Sequence, residues 1–261
     1  MKVVLVCGGL GLRLYPSTEN VPKPMVTIGE KPVLWNLMKY YAYFGHKDFI
    51  LCLGYKGEQI KRFFLNYDEC LLNDFILSNG GKERQLLKSD IENWRITFVE
   101  TGLHSNVGQR LKAVQKYLHG EEVFLANYSD AVTDLHLPKL IDFFIEHRNI
   151  GCFLAVKTFG TFHVISTSAN GHVKSIRHAS QSGIRINGGF FVFKNEIFDY
   201  IHEGEDLVDE PFQRLIKRSE LVAYEYDGFW VNLDTYKDKQ RLDELASKGT
   251  APWEVWKDKA K

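Results

Sequence analysis

Short apolar segments alternate with amphipathic helical segments through the first half of the 261-residue chain. This alternation is typical of a parallel β-sheet covered by helices, because parallel strands need crossover connections between them. The predicted strands are residues 3–7, 49–55, 95–100 and 121–130, and the predicted helices are residues 32–45, 58–67 and 108–118. Such a sheet binds ligands beyond the carboxyl ends of its strands, so functional residues are expected there.

The second half of the chain is richer in strand patterns. They predict a strand at 151–157, a hairpin at 162–178 around Asn170-Gly171, a strand at 188–193, an amphipathic helix at 206–220, a last strand pair at 221–235 and a closing helix that ends at Gly249. The interval 68–94 has no clear period and predicts a loop or a small hairpin.

Charge and apolar patterning exclude several classes of partner. Lys plus Arg and Asp plus Glu both number 33, which argues against a nucleic acid or an anionic membrane surface as partner. The apolar run at the N-terminus is too short for a signal peptide, and no stretch approaches the roughly 20 apolar residues of a membrane span. We therefore expect a cytoplasmic protein. Cys7, Cys52 and Cys152 lie in apolar runs without metal-ligand spacing, which predicts buried reduced thiols.

A glycine-rich turn, GGLGLRL, follows the first predicted strand directly. Glycines let backbone amides approach a ligand, and successive N–H groups in such a turn form an anion-binding concavity to which Arg13 would add charge. A dinucleotide-binding fingerprint would need Gly or Ala at Leu14, and no Gly-Lys-Ser/Thr of a P-loop is present. The turn therefore predicts anion binding of another type, with a plain strand-to-helix turn as the alternative.

Two further segments place positive charge near predicted strand ends. Prolines on both sides of Lys23 in VPKPM stiffen the backbone, so the lysine is displayed at little entropic cost. Gly108 and Arg110 lie in the first turn of a predicted helix, where the helix N-terminus and the guanidinium suit an anion or the polar edge of a base. The alternatives are a surface lysine and an ordinary first-turn arginine.

Two aspartates follow strand patterns that lie far apart in the chain. Asp130 in YSDA ends a strongly apolar strand, and Asp234 in NLDT occupies a similar position late in the sequence. A carboxylate in such a place either caps the next segment or binds a divalent cation. Mg²⁺ takes one or two carboxylates plus phosphate oxygens and water, so the two aspartates could share one ion if the fold brings them together.

These segments, together with INGGFFVF and DGFW, resemble the sugar-1-phosphate nucleotidylyltransferases, and KPVLWNLMKYY, TGLHSNVGQRLKAV and KGTAPWEVW resemble their cytidylyltransferase branch. The resemblance covers essentially the whole chain. It implies a Rossmann-like α/β fold of the nucleotide-diphospho-sugar transferase type, a mixed, mostly parallel sheet flanked by helices, with a small β appendage. It also implies a single domain over 1–261, with a nucleotide-binding part at about 1–135, an acceptor-binding part at about 136–235 and a C-terminal helix and tail at 236–261.

The resemblance implies a reaction in which a sugar-phosphate oxygen attacks the α-phosphorus of a nucleoside triphosphate and expels pyrophosphate. CTP is the expected nucleotide, glucose 1-phosphate the expected acceptor and Mg²⁺ the expected cofactor, and a homo-oligomer is expected. Because the nucleophile is already an ionised phosphate, catalysis would consist of positioning and charge neutralisation.

The resemblance also assigns roles to residues. The nucleotide would contact Leu5, Gly8, Gly9, Gly11, Leu12, Arg13, Lys23, Gly108, Arg110 and Ser129. The acceptor would contact Arg177, His178, Arg185, Asn187 and Gly188. The catalytic residues would be Arg13, Lys23, Asp130 and Asp234, and the two aspartates would bind Mg²⁺.

The chain departs from the family pattern at three places. Leu12 replaces the usual threonine of the glycine-rich loop, and Ser129 and Ala131 replace the glycines that usually flank Asp130. The family also has a Glu-Lys-Pro segment before the Asn-Gly-Gly strand, and its lysine binds the sugar phosphate. The matching residues 177–180 read RHAS and contain no lysine.

Arg177, Arg185 or a protonated His178 could bind the acceptor phosphate in place of that lysine, although a guanidinium fork and a point charge need different approaches. Two alternatives stay open. The chain could use another phosphorylated or phosphonate acceptor, or it could be a nucleotide-binding regulatory protein without turnover.

Overall fold

The computed structural model describes residues 1–9, 21–158 and 162–257. The strands are β1 (Val3–Val6), β2 (Thr27–Ile28), β3 (Lys31–Pro32), β4 (Asp48–Leu53), β5 (Phe75–Ser78), β6 (Glu83–Leu86), β7 (Arg95–Glu100), β8 (Val123–Tyr128), β9 (Ala131–Thr133), β10 (Gly151–Lys157), β11 (His163–Thr167), β12 (Val173–His178), β13 (Arg185–Asn187), β14 (Phe191–Lys194), β15 (Leu221–Tyr226) and β16 (Trp230–Asn232). The α-helices are α1 (Val33–Tyr43), α2 (Gly57–Leu65), α3 (Glu69–Leu72), α4 (Val107–Val114), α5 (Leu137–His147), α6 (Glu210–Lys217) and α7 (Tyr236–Ser247).

Eight strands form a central mixed sheet in the order β13-β10-β14-β8-β1-β4-β7, with β15 also paired to β10. Strands β8, β1, β4 and β7 run parallel to one another, whereas β14 runs antiparallel to β8 and to β10. The helices that follow β4 and β7 are the crossovers that parallel pairing requires. This is the mixed, mostly parallel sheet expected from the sequence.

The central strands are apolar on both faces because helices cover the sheet on both sides. Val3 and Leu5 of β1 belong to a core cluster with α1 and α5, whereas the alternate residue Val4 packs in a second cluster with α4 and α6. Successive side chains of a strand point to opposite faces, so one short strand contributes to both clusters. Cys7, Cys52 and Cys152 are buried free thiols, as predicted.

Strands β11 and β12 form the predicted hairpin, with Ile165 opposite Ile176 and a left-handed Gly171 in its turn. This hairpin is the small β appendage. The interval 68–94 contains the short helix α3 and the hairpin of β5 and β6, so a hairpin is confirmed there.

The two strands predicted at 221–235 are present, but they do not pair with each other, so the predicted pairing is wrong. Strand β15 extends the central sheet along β10, whereas β16 pairs with β9. The chain leaves the sheet between them because the carbonyl of Phe229 accepts hydrogen bonds from the Asp134 amide, at 3.2 Å, and the Thr133 hydroxyl, at 2.7 Å. The two strands therefore end beside different partners.

Helix α7 closes the fold with a capping box formed by Thr235 and Asp238, and the chain leaves it through Gly249 at φ 65°, as predicted. Within the described ranges, no helix combines the length and apolar character needed to cross a bilayer.

Candidate active site

Lys23, Asp130 and Asp234 meet at the carboxyl ends of β8 and β16. The Lys23 ammonium lies 2.6 Å from Asp130 Oδ2 and also contacts Asp234 Oδ1. Lys23 begins a 3₁₀ turn at Lys23–Met25, and each aspartate lies two positions beyond the last residue of its strand. Residues that the sequence singled out separately thus form one cluster.

The short antiparallel pair of β9 and β16 brings the two aspartates together. Asn232 lies opposite Ala131, and the Leu233 amide donates to the Asp130 carbonyl at 2.7 Å. The Asn232 side chain donates to Asp234 Oδ2 at 2.6 Å and fixes the orientation of that carboxylate. The condition left open by the sequence, that the fold brings Asp130 and Asp234 together, is therefore met.

The cluster is partly open to solvent and retains a charged lysine. The side chains of Lys23, Asp130 and Asp234 are 13%, 24% and 23% exposed. Burial opposes the charged ammonium, but the two carboxylates outweigh it and hold the pKa of Lys23 above its ordinary value. Carboxylate oxygens are hard donors that suit Mg²⁺, although among the described residues no group of three or more His, Cys, Asp or Glu is arranged to hold a metal.

The glycine-rich turn begins within the described residues and continues outside them. A Cβ on Gly8 would lie 2.1 Å from Arg110 Nη1, whereas no described residue has an atom within 4 Å of a Cβ on the exposed Gly9. Gly8 is therefore required for packing, and Gly9 is not crowded by the described residues. The predicted nucleotide contacts Gly11, Leu12 and Arg13 lie outside the described residues.

Arg110 is buried, with 3% exposure, and its guanidinium faces protein oxygens. Nη1 donates to the Leu53 carbonyl at 3.0 Å and the Thr101 hydroxyl at 2.7 Å. Nη2 donates to the carbonyls of Gly8 at 3.2 Å and Leu103 at 3.4 Å. Burial lowers the pKa of Arg110. The side chain thus ties together the segments that follow β1, β4 and β7.

Gly108 allows the N-terminus of α4 to pack against a neighbouring loop. A Cβ there would lie 2.3 Å from the Glu205 carbonyl. Asn106 and Gln109 form a capping box at the same helix end, which uses donors that an anion would otherwise bind. The packing of this helix end gives Gly108 a structural role in addition to its predicted contact with the nucleotide.

Two of the predicted acceptor residues are hydrogen-bonded to β8 and β16, the strands that lead to the two aspartates. Asn187 Nδ2 donates to the Tyr128 hydroxyl at 3.2 Å, and Tyr128 is two residues before Asp130. The Gly188 carbonyl accepts from Trp230 Nε1 at 2.9 Å. The Asn-Gly-Gly segment is therefore fixed beside the carboxyl end of β8.

Two predicted nucleotide contacts, Leu5 and Ser129, have structural roles in the central sheet. The side chain of Leu5 is fully buried in the core cluster with α1. The Ser129 hydroxyl donates to the Val6 carbonyl at 2.7 Å and joins the ends of β1 and β8.

Arg185, a predicted acceptor contact, is already paired with acidic side chains. Its Nη2 lies 2.9 Å from Asp227 Oδ1 and 3.0 Å from Glu225 Oε2, and its Nη1 donates to the carbonyls of Ala155 and Tyr226, each at 3.2 Å. Its charge is therefore largely neutralised by the protein.

Arg177 and His178 occupy the end of β12 and differ in their surroundings. Arg177 is exposed and, among the described residues, makes no side-chain hydrogen bond or ion pair. His178 is half-buried, with Nδ1 2.7 Å from the Ser180 hydroxyl. Of the three residues considered for the acceptor phosphate, Arg185 is paired with two carboxylates and His178 with a hydroxyl, whereas Arg177 is exposed and has no acidic partner among the described residues.

Three polar residues that shape this region were not predicted from the sequence. Asn232 orients Asp234, Tyr128 binds Asn187, and Asn127 is 1% exposed inside the central sheet. The available signal was an asparagine within the otherwise apolar segment VFLANY, since a buried polar side chain must find hydrogen-bond partners.

A cavity of about 1530 Å³ among the described residues lies elsewhere. It is bounded by α1, residues 88–94 and α7, and its wall includes Trp35, Trp94 and Trp256. None of the predicted site residues lines it. The chemistry of the side chains, rather than the size of a cavity, identifies the candidate site.

Relatives of known name match the chain over nearly its full length. The protein is 40% identical over 258 residues to the glucose-1-phosphate cytidylyltransferase of Salmonella typhi, an alignment that covers 98% of this chain and 100% of the relative. It is 38% identical over 264 residues to a probable glucose-1-phosphate cytidylyltransferase of Bacillus subtilis strain 168, with 98% and 100% covered.

Solved structures share the fold at lower sequence identity. UDP-glucose pyrophosphorylase in complex with UDP-glucose superposes with a TM-score of 0.69 at 14% identity, covering 95% of this chain and 98% of that one. HddC from Yersinia pseudotuberculosis gives 0.65 at 22% identity, with 94% and 99% covered. The family model described as nucleotidyl transferase matches residues 2–258. The chain therefore belongs to the nucleotidyl transferase family.

Proposed function

We propose that this protein transfers a cytidylyl group from CTP to a sugar 1-phosphate, with glucose 1-phosphate as the first candidate acceptor. The observation that carries the proposal is the cluster of Lys23, Asp130 and Asp234 at the carboxyl end of the central sheet. Full-length relatives at 38–40% identity, named as glucose-1-phosphate cytidylyltransferases, support the choice of both substrates.

In the proposed reaction, an ionised oxygen of the acceptor phosphate forms a bond to the α-phosphorus of CTP. The bond from that phosphorus to the bridging oxygen breaks, and pyrophosphate leaves with the electron pair. The protein need supply no covalent nucleophile. Its residues hold two anionic substrates in line and neutralise their charge, and a lysine on a proline-stiffened turn suits that task.

We propose that Asp130 and Asp234 bind Mg²⁺. Their carboxylates approach one ammonium together, so they would also reach one metal ion, which takes its other ligands from phosphates and water. Bound Mg²⁺ would supply charge stabilisation for the phosphates. The hydrogen bond from Asn232 keeps one oxygen of Asp234 fixed, and Lys23 is placed to exchange a carboxylate for a phosphate.

Most of the predicted nucleotide contacts fall into two groups. The exposed Gly9 would contact the triphosphate, and Gly11, Leu12 and Arg13 would continue that contact. The second group, Gly8, Arg110, Ser129 and Leu5, fixes the carboxyl end of β1 and the start of the glycine-rich turn through packing and hydrogen bonds to backbone carbonyls.

The proposed acceptor site combines Asn187 and Gly188 with one cation for the phosphate. Arg177 is the first choice, because Arg185 is neutralised by Asp227 and Glu225. The RHAS segment without a lysine favours one alternative, in which the same chemistry serves another phosphorylated or phosphonate acceptor. A regulatory protein that binds nucleotide without turnover is a second alternative. The subdivision of the chain, a homo-oligomeric state and a cytoplasmic location stay predictions.

Pyrophosphate release with Mg²⁺ tests the proposal directly. CTP, UTP, dTTP, GTP and ATP would each be paired with glucose 1-phosphate and then with other phosphorylated and phosphonate acceptors. Turnover with CTP and glucose 1-phosphate is expected. Turnover with another acceptor only would support the altered acceptor site. A melting temperature that rises with nucleotide, without release of pyrophosphate under any pairing, would contradict an enzymatic role.

A further inference from the structure

A buried asparagine in β8 contacts the turn that carries the proposed acceptor residues. Asn127 is 1% exposed, and neither the glycine turn nor the aspartate motif includes it. Its Oδ1 accepts from the Phe190 amide at 2.9 Å, and its Nδ2 donates to the Tyr41 hydroxyl at 3.2 Å. Both ends of the carboxamide therefore have defined partners inside the core.

The turn that Asn127 contacts has an unfavourable backbone conformation. Strands β13 and β14 both pair with β10, and Gly189 and Phe190 between them have φ values of 73° and 50°. A left-handed conformation is unfavourable for a residue with a side chain, because its Cβ crowds the backbone. The Phe190 ring is buried, stacked on Tyr41 at 6.0 Å and edge-on to Tyr40 at 5.7 Å. Ring packing and the bond to Asn127 together hold this conformation.

The same turn fixes the carboxamide of Asn187. The Gly189 amide donates to Asn187 Oδ1 at 2.9 Å, and Asn187 Nδ2 reaches the Tyr128 hydroxyl. A Cβ on Gly189 would lie 2.3 Å from Asn127 Oδ1, so a glycine at that position gives the buried amide its space. The direction of Asn187 therefore depends on a turn that Asn127 holds in place.

We propose that Asn127 is a positioning residue for the acceptor. It keeps Phe190 in the left-handed conformation and so keeps Asn187 directed at the Tyr128 hydroxyl, at the carboxyl end of β8. The proposal rests on the proposed function, in which Asn187 contacts the acceptor. Substituting a residue with this role should weaken binding of the acceptor and spare binding of the nucleotide. Substituting a residue that merely stabilises the core should not weaken binding of one substrate more than that of the other.

Two substitutions of Asn127 separate these roles. Asn127→Leu keeps the size of the side chain and removes both hydrogen bonds, and it is expected to raise the KM for the acceptor at least tenfold with the KM for CTP within about twofold. Asn127→Asp retains an oxygen for the Phe190 amide and is expected to recover most of the loss. Tyr41→Phe, which keeps the stacked ring, is the matched control and should lower the melting temperature without changing either KM.

Hydrogen exchange gives a readout that does not require turnover. In Asn127→Leu, exchange at 187–190 is expected to accelerate while β8 and β14 stay protected, and Asn127→Asp should restore protection. If the wild-type protein turns over no acceptor, the proposed function fails, yet the exchange data still decide whether Asn127 holds the turn.

Unchanged exchange at 187–190 in Asn127→Leu, or an equal rise of both KM values, would overturn the proposal. If that variant does not fold, Gly189→Ala takes its place, because the added Cβ would displace the Asn127 carboxamide. The same selective rise in the KM for the acceptor is then expected, and its absence from a folded Gly189→Ala protein would equally contradict the role.

Discussion

The ammonium of Lys23 lies 2.6 Å from Asp130 Oδ2 and at the same time contacts Asp234, so the two carboxylates of the proposed metal site share one positive charge. A metal ion bound by these carboxylates would compete with that ammonium for the same oxygens. The lysine therefore stabilises the protein and at the same time opposes metal binding.

Replacing Lys23 by methionine should expose this competition. The two aspartates would repel each other, and we expect the free energy of unfolding to fall by about 1–2 kcal/mol, less than for a fully buried pair because the groups are partly exposed. Mg²⁺ should then raise the melting temperature of Lys23→Met more than that of the wild type. Lys139→Met, at an exposed position in α5, is the control. An equal response to Mg²⁺ in all three proteins would contradict the shared site.

Asp130→Asn should remove turnover while sparing the fold. The side chain keeps its size, and the Asp130 carbonyl that accepts from the Leu233 amide is unchanged. We expect kcat to fall at least a hundredfold and the melting temperature to shift little, because the loss is one of charge at the reacting phosphates. The exposed Asp142→Asn is the matched control. Unchanged kcat in Asp130→Asn would overturn the proposed metal role.

The strands and helices of the central sheet could be predicted because their signal is local. The predicted bounds 95–100 and 151–157 are those of β7 and β10, and helices α1, α2 and α4 begin within one residue of their predicted starts. The predicted C-terminal ends of these three helices lie beyond the observed ends. After α4, for example, the chain continues as a 3₁₀ turn at Gln115–Leu118, which side-chain periodicity does not distinguish from an α-helix.

The meeting of Asp130 and Asp234 was implied by the family resemblance but could not be predicted from the sequence pattern, because it depends on the pairing of two three-residue strands that are about a hundred positions apart. The hydrogen bonds that Arg110 donates could not be predicted either, for a related reason. Its partners include the carbonyls of Gly8, Leu53 and Leu103, and any residue type offers a carbonyl. Only the assembled sheet brings these groups to one guanidinium.

Arg177→Ala should affect the acceptor alone if Arg177 binds its phosphate. Loss of a charge-assisted hydrogen bond predicts a rise of the acceptor KM by tenfold or more, with the KM for CTP within about twofold. Lys174→Ala on the same strand is the control, since Lys174 is also exposed. Initial rates at varied concentrations of each substrate provide the measurement. If both KM values rise equally, or neither does, Arg177 has no such role.

Arg185→Ala is expected to behave differently, because Arg185 neutralises Asp227 and Glu225. Its removal leaves these two acidic residues beside each other with Lys157 as the remaining partner of Asp227, at 3.1 Å. We expect a lower melting temperature and a smaller change in the acceptor KM than in Arg177→Ala. Thermal unfolding and the same rate measurements decide the comparison, and the reverse order of acceptor KM values would assign the phosphate to Arg185.

Arg110→Met should destabilise the protein at Gly8, where the glycine-rich turn begins. The carbonyls of Gly8 and Leu103 would lose a donor, whereas the Leu53 carbonyl keeps its hydrogen bonds from Thr101. At about 1–3 kcal/mol for an unsatisfied buried group, and less for the partly buried Leu103 carbonyl, we expect a total loss of about 2–4 kcal/mol. The KM for CTP should rise as well, because Gly8 begins the loop. Denaturant unfolding measures the first effect, with the exposed Arg84→Met as control. A fully stable Arg110→Met protein would show that these bonds contribute little.

The loop that packs on Gly108 should make stability depend on pH through Glu205. Hydrogen bonds from Arg214, one of them 2.7 Å long, lower the pKa of Glu205 from 4.5 to about 2. A carboxyl whose pKa is lower in the folded state stabilises the protein above its unfolded pKa and loses this contribution as pH falls through the folded value.

The wild type should therefore be more stable than Glu205→Gln at neutral pH, and the difference should shrink between pH 4.5 and about 2. Chemical unfolding at several pH values measures it, with the exposed Glu203→Gln as control. A difference that stayed constant across this range would mean that the Glu205 charge does not hold the loop against α4.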